Sequence, residues 1–294
     1  MSQNDSSPVT PHPTGKLLNC RGRLLDLSKP VVMGILNISP DSFYDGGKFT
    51  EESGILKKAE ELITGGAQII DIGAASYRPG AEMIPESLEM ERLIPALKLI
   101  SGKFPDIFIS VDTWRSSLVR AAYEHGAHII NDISGGLLDP QMASTVAETG
   151  LPYILMHMQG VPATMQKDPV YEDVVPEVLS FLQERVAFMR NLGIHDIIID
   201  PGFGFGKTTG HNFTLLANLN VFQVLGCPIL AGLSRKSMIN KVLHIKPENA
   251  LNGTSILNTL ALLGGANILR VHDAKEATEC IRLVEQYQSF RKWG

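Results

Sequence analysis

The sequence lacks the features that mark several large classes of protein. Its three cysteines, Cys20, Cys227 and Cys280, are far apart and form no C-x-x-C pair. Neither a disulfide framework nor a structural zinc site is suggested, and thiols in a reducing, cytoplasmic setting are expected. No run approaches the ~18 consecutive apolar residues of a spanning helix, so no membrane partner is expected. The leader MSQNDSSPVTPHPTG has neither an apolar stretch nor a cationic start, and residues 1–15 read as disordered rather than as a signal peptide. There is no basic block, and the net charge is -5. That argues against a nucleic-acid partner but leaves room for small anions, which a few arginines can hold. Two phosphate fingerprints are also missing. G-x-G-x-x-G is absent, and DPGFGFGKT (200–208) fails Walker A by one residue, because Gly202 stands only four positions before Gly206.

What is present is a globular composition, 44% hydrophobic and 19% charged, over 294 residues. That length suits one α/β barrel of about 250 residues plus a tail. Residues 16–294 show no internal linker and read as a single domain. Eight short apolar runs recur, each ending in polar residues: VVMGILN (31–37), AQIIDIG (67–73), DIFISVD (106–112), AHIIND (127–132), PYILMH (152–157), DIIID (196–200), CPILAGLSR (227–235) and ANILRVH (266–272). They are apolar on both faces, as parallel strands covered by helices should be. The stretches between them mostly read as helices. From Asp173 to Asn191, Val174, Val178, Leu182, Val186 and Met189 recur at helical spacing before Gly193. Residues 51–63 and 274–287 read similarly, and LLNCRGRLLDL (17–27) reads as a small hairpin, a candidate plug under a barrel. Eight β-then-α units allow a closed (β/α)8 TIM barrel or an open doubly wound sheet; the count favours the barrel.

In such a barrel the chemistry sits where the strands end. Those ends supply Asn37, Asp71, Asp112, Asn131, His157, Asp200, Ser234 with Arg235 and Lys236, then Arg270 and His272. Any one of them could be an ordinary cap; the whole set is hard to explain that way. Asp112, Asn131 and Asp200 suit the planar donor edge of a pterin or purine. Met156 and Met158 could pack on a flat ring or simply fill core. Arg78, Arg235, Lys236, Arg270 and His272 suit phosphate or carboxylate oxygens. Arg270 and His272 alternate on the last strand and so share a face. The glycines of 200–206 would let backbone approach a ring, with Phe203 or Phe205 nearby. Lys207 reads equally as a ligand donor or a solvated side chain.

Taken in order, GILNISPDSFYDGG, SYRPGA, SVDTWRS, INDISGG, MHMQG, DPGFGFGK, GLSRKSMI and RVHD resemble the dihydropteroate synthase family of the folate pathway, over about residues 17–290. The resemblance implies a (β/α)8 transferase that joins 6-hydroxymethyl-7,8-dihydropterin diphosphate to 4-aminobenzoate, uses Mg2+ and forms a homodimer. It implies that Asp112, Asn131, Asp200 and Lys236 hold the pterin, with Met156 against its ring. Asn37 would meet the metal and, with Arg78, Arg270 and His272, the diphosphate. Phe205, Ser234 and Pro79 would frame aminobenzoate, and Lys236, Arg270 and His272 would be the catalytic groups. SPDSFYDGG, after Asn37, would be a loop that closes over substrate. One departure stands out: the family usually reads S-T-R-P-G where this chain has Ser76-Tyr77-Arg78-Pro79-Gly80. The alternatives are a pterin-binding methyltransferase barrel and a non-catalytic pterin-binding protein. Neither needs the diphosphate donors.

Overall fold

The computed structural model describes residues 16–38, 48–75, 83–162 and 164–290. The chain opens with an antiparallel hairpin, β1 (Leu17–Cys20) and β2 (Arg23–Asp26), turned through Arg21 and Gly22 at positive φ. Eight parallel strands follow. These are β3 (Val31–Asn37), β4 (Ile69–Gly73), β5 (Phe108–Asp112), β6 (Ile129–Asp132), β7 (Tyr153–Met156), β8 (Ile197–Asp200), β9 (Leu230–Ala231) and β10 (Ile268–Val271). They run β8-β7-β6-β5-β4-β3-β10-β9 across the sheet, and all the pairings are parallel. A parallel bridge between Ile199 and Ile229, with Ile199 N donating to Pro228 O at 2.9 Å, joins the two edges. The result is the expected barrel, with a short β9 where the sequence suggested a strand over 227–235.

Helices α1 (Lys48–Thr64), α2 (Glu86–Lys103), α3 (Ser116–Glu124), α4 (Met142–Thr149), α5 (Val174–Asn191), α6 (Thr209–Ala217), α7 (Ser237–Leu243), α8 (Leu251–Leu263) and α9 (Ala274–Ser289) surround it. Their limits follow local chemistry. In α5 the Asp173 side chain accepts from Val175 N, while Glu177 accepts from Asp173 N at 2.9 Å, so two otherwise unpaired donors are satisfied. The buried stripe is the expected Val174, Val178, Leu182, Val186 and Met189, and Gly193, at φ +87°, follows the last turn.

Two apolar layers hold the barrel. Outward strand residues such as Val32, Ile70, Ile72, Ile109 and Val111 pack under the helices. Inside, Met33, Ile69, Ile129, Ile154, Ile198, Leu230 and Ile268 form a floor, closed from below by Leu18, Cys20, Leu25 and Leu27 of the hairpin region. The hairpin is therefore a plug, as its sequence suggested. Each such side chain contributes roughly 1.5–3 kcal/mol by leaving water. With the floor filled, the upper interior of the barrel carries the polar residues. Among the described residues no helix is long and apolar enough to cross a membrane.

Candidate active site

Side chains alternate along a strand, so the inward positions above the apolar floor are fixed by it. Above Ile69 comes Asp71 and then Gly73; above Ile129 comes Asn131; above Ile154, Met156; above Ile198, Asp200; above Ile268, Arg270. Gly73 pairs across the sheet with Asn37 on one side and Asp112 on the other. A β-carbon placed there would lie 3.4 Å from Asp112 Cβ and 3.7 Å from Asn37 Oδ1. The glycine thus leaves open the space between an exposed amide and a buried carboxylate.

Arg270 ties this end together. Its Nε donates to Asp71 Oδ2 and its Nη2 to Asp112 Oδ2, each at 2.6 Å. Asn131 Nδ2 also donates to Asp71 Oδ2, at 3.1 Å. The second oxygens, Asp71 Oδ1 and Asp112 Oδ1, are buried and accept nothing among the described residues. Burial, helped by the charges of Asp71, Glu89 and Asp132, raises Asp112 above the usual carboxylate range, while Arg270 opposes it. The two carboxylates in turn hold Arg270 above its ordinary value, against its burial. Buried acceptors without partners mark a place for a ligand that brings N–H groups.

Asp200 stands across the barrel. Its Oδ1 accepts from Gly202 N at 2.7 Å, and burial raises its pKa against the pull of Lys236. Gly202 has φ +73°, and a β-carbon there would sit 1.8 Å from His157 O, so only glycine serves. Lys236 donates to Phe203 O, and its ammonium lies 4.9 Å from the centre of the Phe205 ring. Burial pulls Lys236 down to about 8, against Asp200. Ile133 and Met156 form a small apolar wall, with Ala75, Trp114, Met158 and Phe205 packed against it. Ser234 Oγ and His272 Nδ1 lie 2.9 Å apart, and His272 N donates to Ser234 Oγ at 3.2 Å. Carboxylates, lysine and apolar wall together could hold a flat, donor-edged ring, and the arginine and histidine could meet an anion beside it.

Asp112, Asn131, Met156, Asp200, Phe205, Ser234, Lys236, Arg270 and His272 therefore share the mouth of the barrel, with Asn37 at its edge. The carboxylate set and the cation set are not separate ends as the sequence suggested, because Arg270 belongs to both. Three other readings change. Arg235 is no free anion donor: at φ +56° it pairs with Asp273, with contacts of 3.0 and 2.5 Å. His157 turns away from Met156 and packs edge-on against Phe181, 4.8 Å between centres. Lys207 is neither solvated nor in the mouth, being 3% exposed with its ammonium 2.8 Å from His157 Nδ1. Asp71 had been noted only as a strand end, and Trp114 and Ile133 were missed. Each of the latter two stands two residues beyond a site residue, so the same alternation could have found them. Tyr77, Arg78 and Pro79 lie outside the described residues, as do the leader over 1–15 and the whole SPDSFYDGG loop.

The family model described as pterin binding enzyme matches residues 33–272. A dihydropteroate synthase of Escherichia coli (strain K12) is 46% identical over 270 residues, 91% of this chain and 95% of that protein. The Haemophilus influenzae dihydropteroate synthase is 43% identical, over 90% and 97%. This chain belongs to the dihydropteroate synthase family. It is accordingly a transferase of folate biosynthesis that makes 7,8-dihydropteroate from a pterin diphosphate and 4-aminobenzoate. Solved structures of the family superpose closely. The Yersinia pestis dihydropteroate synthase with a sulfonamide drug complex has a TM-score of 0.87 at 41% identity, covering 93% of this chain and 99% of its own. The Xanthomonas albilineans dihydropteroate synthase with 7,8-dihydropteroate has a TM-score of 0.83 at 38% identity, with the same coverage.

Proposed function

We propose that the mouth of the barrel divides the dihydropteroate synthase reaction between the pterin ring and its diphosphate, with Arg270 acting on both. The observation that carries this is Arg270 spanning Asp71 and Asp112 next to two buried carboxylate oxygens that have no partner among the described residues. Asp112, Asn131 and Asp200 accept the donor edge of the pterin, Lys236 reaches its ring atoms, and Met156 covers one face. Charged acceptors facing planar N–H donors are among the stronger hydrogen bonds available. Arg270 and His272, with Arg78, meet the diphosphate, while Phe205, Ser234 and Pro79 frame 4-aminobenzoate.

The bond between the pterin methylene carbon and the diphosphate oxygen breaks, and its electron pair leaves with diphosphate. The cationic side chains lower the cost of that growing charge. The electron-poor methylene is delocalised into the pterin, and the neutral aniline nitrogen attacks it through its lone pair. The new C–N bond forms and the nitrogen loses a proton. No side chain becomes covalently attached.

Mg2+ fits this site as an ion carried by the diphosphate. Among the described residues no group of three or more His, Cys, Asp or Glu could hold a metal. Asn37 offers one exposed amide oxygen beside the opening left by Gly73. Mg2+ commonly takes few protein oxygens, keeping waters and substrate phosphates as its other ligands. It would supply further neutralisation of the leaving group, and Asn37 would hold it. Three buried, unpaired thiols support a reducing, cytoplasmic setting. Ile256, Leu260 and Leu263 stay exposed along one stripe of α8 and support a homodimer.

Diphosphate release measured with and without 4-aminobenzoate tests the reading. Release that requires aminobenzoate and yields dihydropteroate is the expected result. Binding of pterin without turnover would instead favour a non-catalytic pterin-binding protein.

A further inference from the structure

The loop after β8 is held more completely than its sequence suggests. Five consecutive carbonyls, from Gly202 to Gly206, each accept a hydrogen bond. Lys236 takes Phe203 O, Gln166 takes Gly204 O at 2.5 Å, and Tyr171 takes Gly206 O at 2.8 Å. The remaining two, Gly202 O at 3.0 Å and Phe205 O at 3.1 Å, are both held by Lys207. The same ammonium reaches His157 Nδ1 at 2.8 Å. A lysine ammonium has three donors, and here it has three close acceptors.

We propose that Lys207 is a positioning residue for this reaction, clamping the loop so that Asp200 and Phe205 are presented together to the two substrates. Gly202 is the link to Asp200, because its N–H donates to the Asp200 carboxylate while its carbonyl is fixed by Lys207. Phe205 is fixed through its own carbonyl. His157 plays the acceptor: burial and the lysine charge push it down to about 3, so its ring stays neutral. Burial also pulls Lys207 down to about 7, with Lys236 and against Asp200. Lys207 is an expensive group to bury, which a purely structural spacer would not require.

That cost separates the two roles. Lys207→Met removes the buried charge, which offsets the lost hydrogen bonds, so the melting temperature is expected to stay near the wild type's. Yet kcat/KM should fall about a hundredfold for both substrates, the scale of an ångström-level misplacement in an active site. The Mg2+ concentration for half activity should not move, since the loop does not reach Asn37. Wild-type values of kcat and both KM would overturn the proposal. So would a large drop in melting temperature with both KM unchanged, which is the mark of a structural residue. If Lys207→Met does not fold, Lys207→Gln serves, since its amide is one bond shorter and has two donors for the three acceptors Gly202 O, Phe205 O and His157 Nδ1, so the clamp is incomplete. An elevated aminobenzoate KM is then expected, and wild-type kinetics would again overturn the idea. A wild-type chain that makes no dihydropteroate at all would refute the activity instead, which keeps the two failures apart.

Discussion

Replacing Arg270 with methionine removes the cation that, among the described residues, touches both Asp71 and Asp112. Both contacts are 2.6 Å, Asp71 is fully buried, and Asp112 nearly so. Taking one member from a buried ion pair typically costs about 3–5 kcal/mol, because the partner charge is left without compensation. For a domain of this size each kcal/mol lowers the melting temperature by roughly 2–4 °C, so a drop of roughly 6–20 °C is expected at neutral pH. The penalty should depend on pH. Burial already raises Asp112, and among the described residues Arg270 is what opposes it. Without the guanidinium the carboxyl keeps its proton to higher pH, where the unfolded chain has lost it. The native variant then binds more protons than its unfolded state, so its stability falls further as pH rises. The gap to wild type should widen from neutral to alkaline pH in a thermal-shift series. Turnover should drop about 10²–10³-fold, the usual effect of deleting a donor that stabilises transition-state charge. Arg270→Lys keeps the charge but not the fork, so it should recover stability better than rate. An unchanged melting curve at every pH would show that the network stores no energy, and unchanged turnover would remove Arg270 from the diphosphate.

Three further outcomes are expected. Asp200→Asn replaces a two-way acceptor with a group that must present a donor, and should cost roughly 1.5–3 kcal/mol of pterin binding. A calorimetric affinity equal to wild type would take Asp200 out of the pocket. Asn37→Ala should raise the Mg2+ needed for half activity while a pterin lacking diphosphate binds normally; an unchanged Mg2+ curve would reassign Asn37. His128 accepts from Ile109 N at 3.2 Å, and burial lowers it from 6.5 to about 4. Its stabilisation is complete above pH 6.5 and is lost as pH falls toward 4, because the unfolded ring takes up a proton first. His128→Gln keeps an acceptor without the titration, and should lose less stability than wild type between pH 6.5 and 5, by an amount that solvent screening at this half-buried ring reduces. Parallel melting curves in that interval would show that His128 does not carry the acid sensitivity.

Much of this site was legible because strands buried on both faces have few reasons to end in charge. Asp112, Asn131, Asp200 and Arg270 stood out for that reason, and alternation fixed their common face. The same rule also had the means to place His157 correctly. Ile154 and Met156 face the interior, so the next residue must face out. Trp114, Ile133 and Met158 continue the inward parity of Asp112, Asn131 and Met156 past the strand ends, which is why they line the rim. What alternation cannot give is the partner across the barrel. Arg270 and Asp112 are far apart in sequence, on strands that do not pair, and they meet only because the barrel closes. Arg235 and Lys207 were misjudged for the same reason, since their partners, Asp273 and His157, come from other strand ends.

Strand β4 shows how one run of sequence serves stability and chemistry together. Its inward positions are Ile69, Asp71 and Gly73, spaced roughly 6–7 Å apart by the rise of an extended chain. Ile69 joins the apolar floor that the hairpin closes, so the cost of what lies above is met from below. Asp71 accepts from Arg270 and Asn131, and so fixes the two donors that flank Asp112. Gly73 contributes no side chain, which leaves the gap between Asn37 and Asp112 open. A β-carbon at Gly73 would make ordinary contacts, 3.4 Å to Asp112 Cβ and 3.7 Å to Asn37 Oδ1, so a side chain there would occupy the gap between them. Along one strand the roles are therefore separated by height: Ile69 belongs to the floor, Asp71 to the carboxylate network, and Gly73 to the gap beside Asn37.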